Sequence, residues 1–378
     1  MKKDSMKKIL MVLSLLSVNA YAVDDSVEIL ERYKAKLADE PYVAAKTINR
    51  DIKVGQKTEL VNYLFDNLND EAKQLISEDA HYINRSKSAK YEKEDSLLVS
   101  QLQEYFSLNP TGIIDVQTWN VLLKKENGWK AKVLADSLQE LYKVKSKQVQ
   151  KASSKYIVVN IPNMTAYAYD YDTVTQKSTL YSSSKVVVGK PTTKTPIQDF
   201  DIWGVKYNPD WTPTSNMINR SVMKNGTVNT AWLKSHNITV TDSKGERVNY
   251  SDIESGGKYK YRQPSGDNNA LGVFKFETTS KENIYLHDTN EKYLFSNNLR
   301  AYSSGCIRVE DYMDFAQFVL NKQPSEIEAQ INTEKLKVEK INDQVPVYFS
   351  YAMSMPISQG YPAYYTDIYL KNSLYYFK

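Results

Sequence analysis

Apolar residues recur at helical spacing through roughly the first 150 positions, and the pattern changes to strand alternation near residue 155. Segments 27–36 and 57–75 carry apolar residues three and four apart, as in Leu60, Tyr63, Leu64 and Leu68, which predicts amphipathic helices. The strongest such stretch is 96–123. Leu97, Leu98, Leu102, Tyr105 and Phe106 supply one apolar face, and Asn109-Pro110-Thr111-Gly112 interrupts it. Asp115 is then placed to cap a second helix carrying Trp119, Leu122 and Leu123. A further helix over 131–144 runs into a polar linker rich in Lys, Ser and Gln.

Strands follow. Tyr156-Ile157-Val158-Val159-Asn160-Ile161 is β-branched, Thr165 to Tyr169 alternates, and 179–188 ends at Gly189, as expected of a meander. Leu271 to Phe276 and Asn283 to His287 predict two later strands. Between these groups, 209–262 reads as an insertion with its own helical stretch near 217–223, either a lid or a structural flap; its bracketing by core strands favours a lid. The chain closes on 335–341, then Val345-Pro346-Val347-Tyr348-Phe349 and a Tyr-rich tail.

The N-terminus changes the meaning of the composition. Lys2, Lys3, Lys7 and Lys8 precede an apolar stretch from Ile9 to Val18, and Ala20-Tyr21-Ala22 fits a small-x-small cleavage site. The expectation is a leader over 1–22, export, and no integral membrane segment, because the apolar run falls short of the roughly 20 residues a spanning helix needs. The leader carries three of the four net positive charges, leaving +1. That small excess offers no support for a nucleic-acid partner.

Cys306 is the single cysteine, so it cannot form an internal disulfide. His287 lies nineteen residues upstream. Two readings follow: an inert buried thiol, or a nucleophile activated by imidazole. A lone thiol in an exported chain and the small residues Ser303-Ser304-Gly305 before it favour the second, since a tight turn there exposes sulfur and frees amides to face an oxyanion. His81 and His236 are isolated and there is no His-Glu-x-x-His pattern, so no metal is expected.

Tyr285-Leu286-His287-Asp288-Thr289 followed by Ser303-Ser304-Gly305-Cys306-Ile307-Arg308-Val309 resembles the signature of the L,D-transpeptidase (YkuD) family, most nearly its large Gram-negative, YcbB-type members. Those carry Ser-Ser-Gly-Cys where smaller relatives have Ser-His-Gly-Cys. The likeness extends to Tyr156 to Pro162, Val187-Val188-Gly189-Lys190-Pro191 with Thr195-Pro196, Asn208-Pro209 with Trp211, Asn268 to Gly272, and Lys275-Phe276. Segment 96–123 is also similar to a peptidoglycan-binding module through Leu102-Gln103, Thr111-Gly112, Asp115 and Thr118-Trp119; an ordinary small helical domain fits it equally.

The resemblance implies an α+β chain: a β-rich catalytic domain over 155–340 with a lid at 209–262, and a mainly helical N-terminal part. That part divides into a scaffold over 23–94, a peptidoglycan-binding-like module over 95–128, and a helix and linker over 129–154. Segment 341–378 would be a tail on the scaffold. It further implies that Cys306 attacks the third residue of a peptidoglycan tetrapeptide stem, expels D-Ala, and passes the acyl group to a diaminopimelate amine, giving 3–3 cross-links in a Gram-negative periplasm. The thioester chemistry that the resemblance implies needs no cofactor. His287 would be the base. Gly305 and Cys306 amides would hold the oxyanion, with the Tyr285 hydroxyl added by the resemblance; Tyr285 reads equally as an interfacial tyrosine. Arg308 could grip a stem carboxylate or close a local salt bridge. Ser303 and Ser304 could orient His287 or merely form the turn. Trp211 is the groove candidate, and Trp203 reads as core. Alternatives are an L,D-carboxypeptidase on the same substrate and a non-catalytic wall-binding protein.

Overall fold

The computed structural model describes residues 21–38, 48, 50–85, 87–106, 108–123, 127–224, 227–254, 257–357, 361–369 and 371. The expected leader lies almost wholly outside them. The chain divides into two compact units: Met1–Ser183 with Ser296–Ala301 and Tyr348–Lys378, and Ser184–Phe295 with Tyr302–Val347.

In the first unit, helix α1 (Val23–Ala38) lies along helix α7 (Asn127–Lys151). Leu30, Leu134, Leu141 and Val144 form a core with Tyr156, Tyr169 and, from the tail, Tyr348 and Met355. The helix expected to stop at residue 144 continues to Lys151, because Leu141, Val144 and Gln148 keep one stripe buried. Strands β1 (Lys155–Asn160) and β2 (Thr165–Asp172) form an antiparallel hairpin from Lys155↔Asp170 to Asn160↔Thr165. Five successive residues of β1 are buried, which accounts for its unbroken apolar run.

Helices α2 (Leu60–Asp66), α3 (Asp70–Ile76), α4 (Ala80–Ile83), α5 (Lys93–Tyr105) and α6 (Val116–Leu122) surround a second core in the same unit. Leu64, Leu98, Leu102, Ile114, Trp119 and Leu122 all belong to it, so one core runs across the division expected at residue 95. Asp115 caps α6 by accepting from the Thr118 N–H, as its position predicts. The buried face of α5 is Leu98, Val99 and Leu102; Leu97 is 57% exposed, one residue around the helix from Leu98 and outside the stripe. Asp95, buried on α5, accepts from Arg85 Nε at 2.8 Å and the Glu92 N–H at 3.1 Å, and lies 2.9 Å from His81 Nε2.

The second unit is built on a sheet with strands β3 (Lys177–Gly189), β4 (Asp199–Tyr207), β5 (Phe274–Thr278), β6 (Leu286–His287), β7 (Ala301–Ser303), β8 (Ile307–Val309) and β9 (Lys337–Ser350). Their order is β7–β3–β8–β6–β5–β4–β9. The β6–β8 pair is parallel, while β3–β8, β5–β6 and β4–β5 are antiparallel. Helices Tyr312–Leu320 and Pro324–Ile331 contribute Phe315, Phe318, Val319 and Ile327 to the interior. The insertion has its own core of Val222, Leu233, Ile238, Val240, Ile253 and Tyr261. Trp211 and Gln263 close its neck by exchanging backbone hydrogen bonds of 2.9 and 2.7 Å. The molecule is thus α+β with a large sheet and a helical N-terminal region.

Candidate active site

Strand register sets the site. Lys206 on β4 lies opposite Lys275 on β5, Lys275 opposite His287 on β6, and His287 beside Arg308 on β8. Cross-strand partners share a face, so one row carries three cations and an imidazole. Two positions along the chain from this row stand Glu277, on β5, and Tyr285 and Cys306, just before β6 and β8. The thiol sits at the mouth of β8, where Ile307 N–H donates to the Tyr285 carbonyl at 2.9 Å.

The turn before Cys306 is tied down from several sides. Gly305 has φ +123°, a conformation that L side chains rarely adopt. Its N–H donates to Ser303 Oγ at 3.0 Å, and that hydroxyl donates to the Cys306 carbonyl at 2.6 Å. Thr195 Oγ1 donates to the Gly305 carbonyl at 2.8 Å and accepts from the Gly189 N–H at 2.9 Å. The end of β3 is thereby locked to the cysteine loop.

His287 is buried, with 5% of its surface exposed. Its Nδ1 is bonded to the Asp288 carbonyl, which makes Nδ1 the protonated nitrogen, and Nε2 has no hydrogen-bond partner among the described residues. Burial, Arg308 and Lys275 together pull its pKa down to about 3, against the backbone bond to Asp288. The imidazole is therefore neutral near pH 7. Cys306 is half-buried, and its Sγ donates to the Asn283 carbonyl at 3.8 Å. Burial pushes the thiol pKa up; the Tyr285 N–H and the charges of Lys275 and Arg308 pull against that. Asp288 orders the far side: its Oδ2 accepts from the Val273 N–H at 3.0 Å, and a side chain on Gly272 would collide with it.

The structure brings Cys306, His287, Tyr285 and Arg308 to one face, overturns one expectation, and shows one of the two open alternatives at Ser303 and at Arg308. The Gly305 N–H is spent on Ser303, so it does not face an oxyanion; the Cys306 N–H has no hydrogen-bond partner among the described residues. Ser303 holds the turn, not His287, and Ser304 is exposed with no hydrogen bond among the described residues. Arg308 makes the local ion pair, with Glu291. Burial would raise Glu291, but the Arg308 bond and charge hold it below the usual carboxylate value. Tyr285 Oη donates to Asn283 Oδ1 at 3.3 Å. Trp211 stands at the neck of the insertion, half-buried beside Trp232, while Trp203 is half-buried and donates from Nε1 to the Thr278 carbonyl at 3.3 Å.

Lys275 and Glu277 are the residues sequence reasoning missed as site members. The Lys275 ammonium lies 3.5 Å from the Tyr285 ring centroid and binds both Glu277 oxygens at 3.1 and 3.2 Å. An alternating Lys-x-Glu on a strand was the available signal, and it reads equally as a solvated edge.

The site thus sets a lone thiol and a neutral imidazole on one sheet face. Residues 154–333 match the YkuD family, described as the L,D-transpeptidase catalytic domain. That segment is similar to the family's catalytic domain over just under half of the chain. A Haemophilus influenzae protein assigned by name to the L,D-transpeptidases is 31% identical over 222 residues, which is 56% of this chain and 44% of the relative. The match thus spans less than half the relative's length. Among solved structures, an L,D-transpeptidase from Mycobacterium smegmatis is similar at 12% identity and TM-score 0.26, covering 52% of this chain and 58% of that one. The catalytic domain of an E. faecium L,D-transpeptidase acylated by ertapenem is similar at 14% identity and TM-score 0.25, covering 52% and 97%.

Proposed function

We propose that this protein is an exported L,D-transpeptidase that joins peptidoglycan stems through a Cys306 thioester. One observation carries the reading: within the matched domain, neutral His287 keeps Nε2 open on the sheet face that holds the only thiol. Because burial raises the thiol pKa and lowers that of the imidazole, the resting pair is thiol and imidazole, not an ion pair. Proton transfer to Nε2 accompanies attack of Sγ on the carbonyl of the third stem residue. The Cys306 N–H is the local donor for the oxyanion. The tetrahedral centre collapses as Nε2–H gives its proton to the departing D-Ala amine. A diaminopimelate side-chain amine from a second stem then attacks the thioester, releasing the thiol and forming the 3–3 cross-link.

Incubating the protein with labelled disaccharide-tetrapeptide tests this by product mass. Cross-linked dimers are expected; free tripeptide alone would make it an L,D-carboxypeptidase, and no thioester at all would sink the assignment. The proposed compartment is the periplasm, supported by the basic and apolar N-terminal residues and the Ala20-Tyr21-Ala22 site; cell fractionation that finds the protein in the cytosol would overturn it.

The insertion is proposed as a lid, supported by its separate core and closed neck. Replacing 209–262 with a short Gly/Ser linker should leave Cys306 reactive to small reagents while turnover falls and products shift toward hydrolysis, since water then competes for the thioester. A folded deletion variant that cross-links as well as the parent would dismiss the lid.

A further inference from the structure

The Lys206–Glu277–Lys275 chain runs across the face that carries Cys306. Lys206 Nζ lies 3.2 Å from Glu277 Oε1, the oxygen that Lys275 also binds at 3.1 Å. Two ammonium groups thus share one carboxylate, and the trio keeps a surplus positive charge. The other cation on this face, Arg308, is matched one-to-one by Glu291. Lys275 is the inner member, 9% exposed, and seated against the Tyr285 ring. A cation held over a desolvated aromatic face fixes the ring as well as the charge.

We propose that Lys275 is a positioning residue for the Cys306 nucleophile, seating the Tyr285 ring and holding the trio's surplus charge beside the sulfur, where it offsets the negative charge that develops as the proton leaves. The inference rests on Cys306 being the nucleophile. The groups that act on the thiol are Tyr285, Lys275 and Arg308, and His287 is paired with both Lys275 and Arg308; Glu277 and Lys206 stand behind Lys275, and Glu291 behind Arg308. Burial opposes ionisation of Cys306, and Lys275 is among the charges pulling the other way. The lysine itself is lowered by burial and held up by Glu277. The carboxylate therefore does two opposite things: it keeps the ammonium protonated, and it screens part of that charge from the sulfur.

Alkylation of the full-length protein by iodoacetamide across pH reads the thiolate directly and needs no turnover. Lys275→Met should move the alkylation midpoint up by about one pH unit, the scale of one nearby charge. Lys275→Arg should restore most of that shift. An unchanged midpoint in a Lys275→Met variant that melts like the parent overturns the proposal, as does an arginine variant with a midpoint as high as methionine's. Should the methionine variant fail to fold, Lys275→Gln decides: a midpoint at the parental value refutes it. Shifts as expected in a protein that forms no stem thioester would leave this inference standing and remove the transpeptidase reading.

Discussion

Asp95 and Glu277 are both buried carboxylates that collect two side-chain partners, yet the two clusters are built in opposite senses. Asp95 sits at the centre of its group, with Arg85, His81 and the Glu92 N–H converging on it. Burial alone would raise its pKa; the bonds from Arg85 and His81 override that and hold it below the usual value. Its second role is local, since Asp95 and Glu92 form a capping box at the start of α5. Glu277 instead joins two lysines and leaves their excess charge on the face of the thiol. A buried ion cluster whose bonds all point inward serves the fold, whereas one with a surplus aimed at a reactive group serves chemistry. Substitutions in the first should move stability, and those in the second should move rates.

The largest expected effect is on the chemical side. Cys306→Ala should abolish acyl-enzyme formation with stem peptide or a carbapenem while leaving thermal unfolding near that of the parent, because the half-buried sulfur fills little interior volume. Intact-mass spectrometry gives the readout, and an adduct persisting in the alanine variant would remove Cys306 from the mechanism. His287→Ala should slow single-turnover acylation by about 100- to 10,000-fold, the usual contribution of a positioned base. Acylation at the parental rate near neutrality would mean that another group takes the proton.

How far the sequence foretells these regions differs for the same reason. The periodic apolar residues of β1 and β2, the Asp115 cap and the Ser-Ser-Gly-Cys turn are local patterns, and each element forms where its pattern lies. Cys306 and His287 stand out because the cysteine is solitary and both belong to a short signature. Lys275 is invisible by that route. Its meaning comes from register, which sets it opposite His287 across a non-local strand pair. The loss of the Gly305 amide to Ser303 is likewise a matter of loop geometry that no spacing reveals. Helix α5 shows the limit within a local pattern: of the five apolar residues that mark it, Leu98, Leu102 and Phe106 meet the core, whereas Leu97 is exposed.

The structural cluster predicts a smaller, different effect. Asp95→Ala strands Arg85 and His81 beside a buried gap and removes the capping-box acceptor, so urea unfolding should register a loss of about 3 kcal/mol, typical of breaking a buried pair. Iodoacetamide reactivity of Cys306 should stay at the parental level. A variant of full stability would show that the cluster is not structural, and one with altered thiol reactivity would blur the contrast between the two carboxylates.

Acid sharpens the same comparison by the finest margin. Stability rises with pH wherever the unfolded chain binds more protons than the folded one. His287 has a folded pKa of about 3 against an ordinary value of 6.5, so between those limits the unfolded chain takes a proton that the buried imidazole refuses. Its contribution is fully present above pH 6.5 and is lost as pH falls toward 3. Asp95 is also lowered, from 3.8, so its contribution is present above that value and fades only at more acid pH. Two windows result: the site histidine acts first, and the structural carboxylate later. Melting curves from pH 7 to pH 2 separate them by difference. His287→Gln should flatten the parental slope between about 6.5 and 3 and leave the most acid part unchanged, while Asp95→Asn should do the reverse. If His287→Gln keeps the parental slope through the upper window, the imidazole is protonated in the folded protein. The thiol–imidazole resting state would then give way to an ion pair.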